Sequence, residues 1–244
     1  LLLVLTILLS LASTGQLYEK KYCQAQKINT PPTIDGKLNE PLWTAVQWYN
    51  GFVQHEPTEG KDPAFQTEFS VLYDQYNLYI GMKMFDSAPD SIIRRLTRRD
   101  QIDGDIAGIF IDSYNDKRSA FGFGVTAAGV KFDQFVSNDG QNEDNTWDPV
   151  WWTEVSSDSA GWYAEMRIPL TQLRFEEKAG EEWGFEAIRY ILRRQETSLW
   201  QPTSRKQSGW VSQFGRISGF EGIESRNIVD LMPYAVAGTS RFEK

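Results

Sequence analysis

The sequence predicts an all-β fold, an antiparallel β-sandwich of jelly-roll type with one or two short helices. Three observations lead to this prediction. Segments of alternating apolar and polar residues recur along the chain, short polar turns separate them, and the segments are rich in β-branched and aromatic residues. Many short strands at such spacing are typical of sandwiches and barrels.

The clearest strand pattern is a hairpin at residues 67–85. Alternating residues 67–73 and 78–85 flank the turn-prone segment 74–77. The same pattern predicts further strands at 106–111, 120–126, 130–136, 151–156, 162–168 and 183–193. The chain has 9 Trp, 10 Tyr and 14 Phe, which either fill a β core or form surface platforms.

Helical pattern is scarce. Residues 40–46 predict one short helix, with Asn39 as the N-cap and Pro41 in the first turn. Residues 168–173 predict a second helical turn that closes a strand, and residues 91–99 fit either a helix or a strand.

The chain opens on an apolar run, residues 1–12. A helix needs about 20 apolar residues to span a bilayer, so this run better fits a secretory signal peptide, residues 1–15. The alternative is an amphipathic or buried helix. We expect an exported protein of the cell envelope, in the outer membrane or periplasm.

The rest of the chain divides into three parts. We expect a mobile segment at 16–27, one β-sandwich domain at 28–222 and the start of a C-terminal β-barrel-like region at 223–244. Alternation at 228–238 is the basis for the barrel, because a transmembrane strand needs about 9–11 such residues. A terminal edge strand of the sandwich fits the same pattern.

Composition argues against several classes of protein. With 25 basic and 33 acidic residues the net charge is −8, so the basic footprint of a nucleic-acid-binding protein is absent. Cys23 is the only cysteine, which precludes an internal disulfide. His55 is the only histidine and lies in a predicted loop with no nucleophile motif nearby, so we expect no catalytic residues. A glycosidase needs only two carboxylates, but no carboxylate motif stands out.

Four ordered motifs resemble the family 9 carbohydrate-binding modules. They are Thr33 to Trp43, the pair Phe69–Asp74 and Asn77–Ile80, the segment Asp105–Asp112, and Gly161 to Leu170. In the second half, the segments 183–185, 189–190, 193–196, 200–202, 214–219 and 232–234 resemble Bacteroidetes envelope proteins. In those proteins such a module precedes a long region expected to form an outer-membrane barrel.

The resemblance implies a non-catalytic module that captures a terminal sugar of a glycan, in an outer-membrane-associated protein of glycan capture or catabolism. It also implies the protein's own C-terminal barrel as a partner. The alternatives are a structural or plug module of that barrel without a sugar site and, third, a glycoside hydrolase segment. No cofactor is certain. Structural calcium occurs in the family, and plausible suppliers of its oxygen ligands are Asp103, Asp105, Asp112, Asp139 and Asp144.

The richest candidate sugar site is the segment 142–152, which combines aromatic rings with amides and carboxylates. Family 9 modules hold a terminal sugar between two Trp rings, and we expect Trp147 to play this part with Asn145 beside it. Trp151 is a further candidate, although Trp151 and Trp152 should point to opposite faces of one strand. Arg99 is the fourth candidate, as a donor to sugar hydroxyls. The alternative is that the three tryptophans pack in the sandwich and at its edge and that Arg99 belongs to a salt-bridged surface loop.

Overall fold

The computed structural model describes residues 18–175, 182–223 and 238. Its strands in chain order are β1 (Tyr22–Gln24), β2 (Gln26–Lys27), β3 (Val53–Glu56), β4 (Thr67–Tyr73), β5 (Asn77–Phe85), β6 (Ile106–Asp112), β7 (Ala120–Thr126), β8 (Lys131–Ser137), β9 (Asn142–Asp144), β10 (Trp152–Asp158), β11 (Gly161–Pro169), β12 (Trp183–Ile191), β13 (Glu196–Leu199) and β14 (Gly215–Ser218). The α-helix is α1 (Pro41–Ala45). Short 3-10 helices lie at Pro89–Ser91, Asn138–Gly140, Leu170–Gln172, Leu192–Arg194 and Val211–Gln213.

These strands form two packed sheets, which confirms the predicted β-sandwich. The larger sheet has the order β1-β14-β12-β6-β7-β8-β9, and β13 and β3 extend it beside β12. The smaller sheet has the order β10-β11-β5-β4-β2. Its centre is the predicted hairpin, in which Thr67 pairs with Met84 and Tyr73 with Leu78.

The main core lies between the sheets and is dominated by aromatic and branched side chains. The central strands contribute alternate residues to it, as Phe69 and Val71 do from β4 and Phe121 and Phe123 do from β7. The rings of Phe69 and Phe185 lie 5.2 Å apart, so the two sheets touch directly. Alternation in the sequence therefore reports the inward face of most strands correctly.

The N-terminal segment belongs to the domain, contrary to the expected boundary at residue 28. β1 pairs in parallel with β14 of the larger sheet, and β2 pairs in parallel with β4 of the smaller sheet. Between them the buried Ala25 donates its N–H to the carbonyl of Ser218 at 2.8 Å. A short stretch of chain thus links one edge of each sheet, which a two-residue strand pattern is too short to predict.

The helix α1 covers the outer face of the smaller sheet. Its N-cap is Glu40, which has extended backbone angles and no side-chain cap, so the expected Asn39 cap is wrong. The Glu40 carboxylate instead accepts a hydrogen bond from the N–H of Thr33 at 2.9 Å. The helix places Trp43 against Leu72 and Tyr79, which form a second apolar cluster on this face.

Two expectations lie outside the described residues: the signal peptide at 1–15 and most of the barrel-like region at 223–244. Within the described part of the chain, no helix has the length and apolar character needed to cross a membrane.

Candidate functional site

Strand β8 lies beside the first part of the predicted site segment 142–152 and presents its side chains to two different surfaces. Its register with β7 pairs Phe132 with Gly124 and Gln134 with Gly122, both on the outer face of the larger sheet. Asp133 and Phe135 alternate with them and point to the opposite side, where Phe135 contacts the core. Successive side chains of β8 therefore alternate between the outer face of the larger sheet and the interior.

On the outer face, three polar side chains form an ordered cluster at the sheet edge. The Gln134 side-chain amide donates to Oε2 of Glu143 at 2.9 Å and to Oδ1 of Asn145 at 3.1 Å. Because Gln134 uses its donor group here, its own carbonyl oxygen remains available as an acceptor. The Glu143–Asn145 side is exposed, so a ligand meets acceptors and an amide donor in a fixed arrangement.

An aromatic ring lies next to this cluster on the same face. Phe132 is two residues before Gln134 and lies flat against Gly124, where a Cβ atom would overlap the ring. Phe110 lies over Gly122 in the same way. Glycine on β7 thus lets two rings lie against the sheet, and the partly exposed Phe132 borders the polar cluster.

Trp147 lies on the interior side, away from Asn145. Its ring packs at 5.1 Å from Phe121 and 5.4 Å from Phe123, both of which belong to the core. It is partly buried and closes the edge of the core between the two sheets. The structure therefore does not bring Trp147 and Asn145 together around one ligand.

Of the adjacent pair Trp151 and Trp152, the structure places the first in the core. Trp151 is 1% exposed and packs on Phe123, so neither of its ring faces is open to a sugar. Its expected sugar-stacking role does not agree with this position. Trp152 is 44% exposed, the most exposed tryptophan of the described residues, and the guanidinium of Arg167 lies 3.9 Å from its ring centroid.

Arg99 holds a loop in place. It donates to both carboxylate oxygens of Asp133, at 2.7 and 2.8 Å through Nη2, and to the carbonyl of Pro149 at 3.1 Å. It also forms an ion pair with Asp148. Burial raises the pKa of Asp133, and the Arg99 guanidinium opposes this rise. These contacts fit the salt-bridged loop rather than the expected hydrogen bonds to a sugar.

The five aspartates expected to supply calcium ligands are spread over several elements: Asp103 and Asp105 precede β6, Asp112 ends β6, Asp139 lies in a 3-10 helix and Asp144 ends β9. Asp112 accepts from the N–H groups of Asp116 and Lys117, and Asp139 accepts from Trp210 and Ser212. Asp144 binds Thr146 in the same manner. Within residues 18–175 and 182–223, no three His, Cys, Asp or Glu side chains gather as a metal site would require.

The histidine and the cysteine of the chain, His55 and Cys23, both lie in strands. His55 lies in β3 instead of the predicted loop, with Nδ1 3.5 Å from Oγ1 of Thr203. Cys23 lies in β1, where burial raises the pKa of its thiol and disfavours the reactive thiolate.

Sequence reasoning missed Phe132 and Gln134, and it included Glu143 in the candidate segment 142–152 without giving it a role. The alternation of β8 is a usable signal, since it places Phe132 and Gln134 on one face. The contribution of Glu143 depends on the pairing of β9 with β8, which puts it opposite Val136. That register has no signature in a three-residue strand.

Comparisons with known proteins agree with this architecture. A family 9 carbohydrate-binding module from Caldicellulosiruptor kristjanssonii in complex with glucose is 18% identical, with a TM-score of 0.60 over 85% of this chain and 99% of its own. The same organism's family 9 module in complex with cellotriose is also 18% identical, with a TM-score of 0.59 over 87% and 100%. A Bacteroides uniformis protein named as a candidate carbohydrate-binding protein is 13% identical, with a TM-score of 0.63 over 83% and 100%.

At these identities the structural likeness establishes the fold. No curated protein matches the sequence significantly. The family described as carbohydrate family 9 binding domain-like matches residues 34–218, which is most of the chain. The chain therefore belongs to the carbohydrate family 9 binding domain-like family.

Proposed function

We propose that the chain is a non-catalytic carbohydrate-binding module whose sugar site lies on the outer face of the larger sheet. The observation that carries this proposal is the ordered cluster of Gln134, Glu143 and Asn145 beside the ring of Phe132. A sugar presents an apolar C–H face and a rim of hydroxyl groups. A ring bordered by fixed donors and acceptors complements both.

The choice of ligands to test follows from the relatives. The two modules from Caldicellulosiruptor kristjanssonii are in complex with glucose and with cellotriose. These sugars differ in length but share a terminal glucose unit. They support a terminal hexose as the first class of ligand to test. Other hexoses and pentoses then serve as comparison ligands.

Isothermal titration calorimetry tests the proposal. We expect saturable heat with at least one sugar among glucose, cellotriose, galactose and xylose. Asn145→Ala should weaken this binding about tenfold, because a directed hydrogen bond to a sugar contributes about 1–1.5 kcal/mol. Asn142→Ala is the matched control, since Asn142 is an equally exposed asparagine of β9 outside the cluster. Absence of heat with all four sugars, or equal binding by both variants, would contradict the proposal.

A structural or plug module is the second candidate function. The observation that favours it is the burial of Trp43, Trp151, Trp162, Trp183 and Trp200, each 2% exposed or less. The outer face also carries Gly108 and Ile188 in the row of Phe132, so much of it is apolar. A folded protein that binds none of the sugars but associates with its C-terminal region would support this candidate.

We further propose that the protein is exported to the cell envelope and that this module acts in glycan capture, beside its own outer-membrane barrel. The support is the apolar run at 1–12 and the resemblance of the second half to envelope proteins. Fusing residues 1–27 to a reporter that is active only after export tests the first part. Reporter activity that persists when Leu5 and Leu8 are both changed to Asp would contradict it.

A further inference from the structure

A cleft opens where the N-terminal strands cross from one sheet to the other. On the free edge of β4, Phe69 forms a bridge with Tyr49, and Leu72 pairs with Gln26 of β2. Ser70 and Val71 lie between these two pairings, and among residues 18–175 and 182–223 they have no strand partner on that edge. This gap is the floor of a cavity of about 310 Å³, which we call the N-terminal cleft.

The cleft is lined mainly by uncharged polar side chains. Gln24, Gln26 and Gln47 present their amides around it, and all three are exposed. Ser70 lines the floor of the cleft and is 2% exposed, and its hydroxyl is not among the buried side-chain atoms that lack a hydrogen-bond partner in the described part of the chain. A hydroxyl group at the surface of a cleft can both donate to and accept from a ligand or water.

Two tyrosines make the walls of the cleft rigid. The hydroxyl of Tyr49 accepts from the N–H of Gln24 at 2.8 Å, and its ring stacks on Phe69 at 5.5 Å. The hydroxyl of Tyr73 donates to the carbonyl of Gly219 at 2.7 Å and accepts from the N–H of Glu221 at 2.9 Å. Backbone groups of Gln24 in β1 and of Gly219 and Glu221 after β14 fix both hydroxyls, and these contacts hold the two walls of the cleft in place.

The balance of charge narrows the class of ligand. Lys27 and Glu221 are the charged residues of the lining, one of each sign, and Lys27 donates to the Glu221 carbonyl at 3.0 Å. The lining therefore carries no net charge and does not favour an ion. Amides and a hydroxyl offer donors and acceptors together, as a ligand rich in hydroxyl groups requires. The volume lies at the lower end of the range for small-molecule sites, about 300–1,000 Å³.

We propose that the N-terminal cleft is a second binding site, for a neutral polyol of monosaccharide size. It lies at the edge formed by β1, β2, β4 and β14, whereas the cluster around Gln134 lies at the β8–β9 edge of the larger sheet. The two sites share no residue, so the cleft does not depend on the outer-face site.

Nuclear magnetic resonance of the full chain with ¹⁵N-labelled glutamine tests this proposal. The probes are glucose, galactose, mannose and xylose, each added stepwise. We expect the side-chain amide signals of Gln26 and Gln47 to shift saturably with at least one of them, and the signal of Gln101 to stay in place. Gln101 is an exposed glutamine outside the cleft, so it reports non-specific effects.

Substitutions separate the two sites. Gln26→Ala combined with Gln47→Ala should weaken the cleft titration at least tenfold, as read from the side-chain amide signal of Gln24, the remaining glutamine of the cleft. Gln101→Ala should leave the titration unchanged. Asn145→Ala should leave the cleft titration unchanged. The calorimetric comparison of Asn145→Ala with the wild type therefore tests the outer-face site separately from the cleft. The proposal is overturned if no cleft amide shifts with any of the four sugars, or if the double variant, shown to be folded by its backbone spectrum, binds as the wild type does.

Discussion

Trp43 donates its indole N–H to Oε1 of the buried Glu165 at 2.7 Å. The other carboxylate oxygen of Glu165 accepts the N–H groups of Asp35 and Gly36, at 3.0 and 2.8 Å. One side chain of β11 thus fixes both the Ile-Asp-Gly turn and the helix that follows it. Glu165 lies about 130 residues from the turn in the sequence. This contact explains why the motifs Thr33 to Trp43 and Gly161 to Leu170 occur together in one fold.

The bond between Trp43 and Glu165 should make a measurable contribution to stability. Trp43→Phe keeps a ring over Gly81 but leaves a buried carboxylate oxygen without its donor. We expect the free energy of unfolding to fall by about 2 kcal/mol or more, measured by urea denaturation. Trp152→Phe is the matched control, and its exposed site should change stability by no more than about 0.5 kcal/mol. Equal effects of both substitutions would show that the hydrogen bond contributes little.

Stability should also depend on pH through Glu165. Burial raises its pKa to about 7, against an ordinary value of 4.5, and the hydrogen bonds from Asp35, Trp43 and Gly36 oppose this rise. A carboxyl group with a higher pKa in the folded state binds more protons when folded, so its contribution to stability is full below its unfolded pKa. That contribution is lost as the pH rises through about 7.

We therefore expect wild-type protein to lose stability more steeply than Glu165→Gln between about pH 5 and pH 7.5, as measured by urea denaturation at several pH values. Glu154→Gln provides the control, because Glu154 lies opposite Glu165 on β10 but is exposed. It should keep the wild-type slope. Parallel curves for wild type and Glu165→Gln would rule out a titration of Glu165 in this range.

Gly36 should tolerate no side chain. Its φ is +78°, and a Cβ atom would lie 2.6 Å from the carbonyl carbon of Val155. Gly129 has a similar φ of +83°, but a Cβ atom there would meet only the Val155 side chain at 3.5 Å. We expect Gly129→Ala to cost about 1 kcal/mol for backbone strain alone, and Gly36→Ala to cost at least about 2 kcal/mol more, by chemical denaturation. Similar losses in both variants would mean that the turn can move away from β10.

Much of the fold could be predicted from local pattern. The hairpin of β4 and β5 was predicted almost to the residue, because two alternating segments flank a short polar turn. The parallel pairings of β1 with β14 and of β2 with β4 could not be predicted. Strands of three and two residues carry no periodicity, and their stability comes from the sheet edges they meet.

The candidate site was predicted less completely. Composition pointed to the segment 142–152, and Asn145 does lie in the polar cluster. The sequence could state that Trp151 and Trp152 face opposite ways but not which of them is buried. That choice depends on the side of β10 on which the larger sheet packs. Arg99 looked available because its partner Asp133 lies 34 residues away in the chain.

By itself, the sequence determined the fold class, the family and most strand positions, because alternation and turn chemistry are local properties of the chain. Only the tertiary structure decided which aromatic residues are core and which polar groups meet. Gln134 and Glu143 join across a strand pair, and the N-terminal cleft exists because two separate pairings leave a gap on β4. Both features depend on strand register, which the packing of the two sheets fixes and which no single segment specifies.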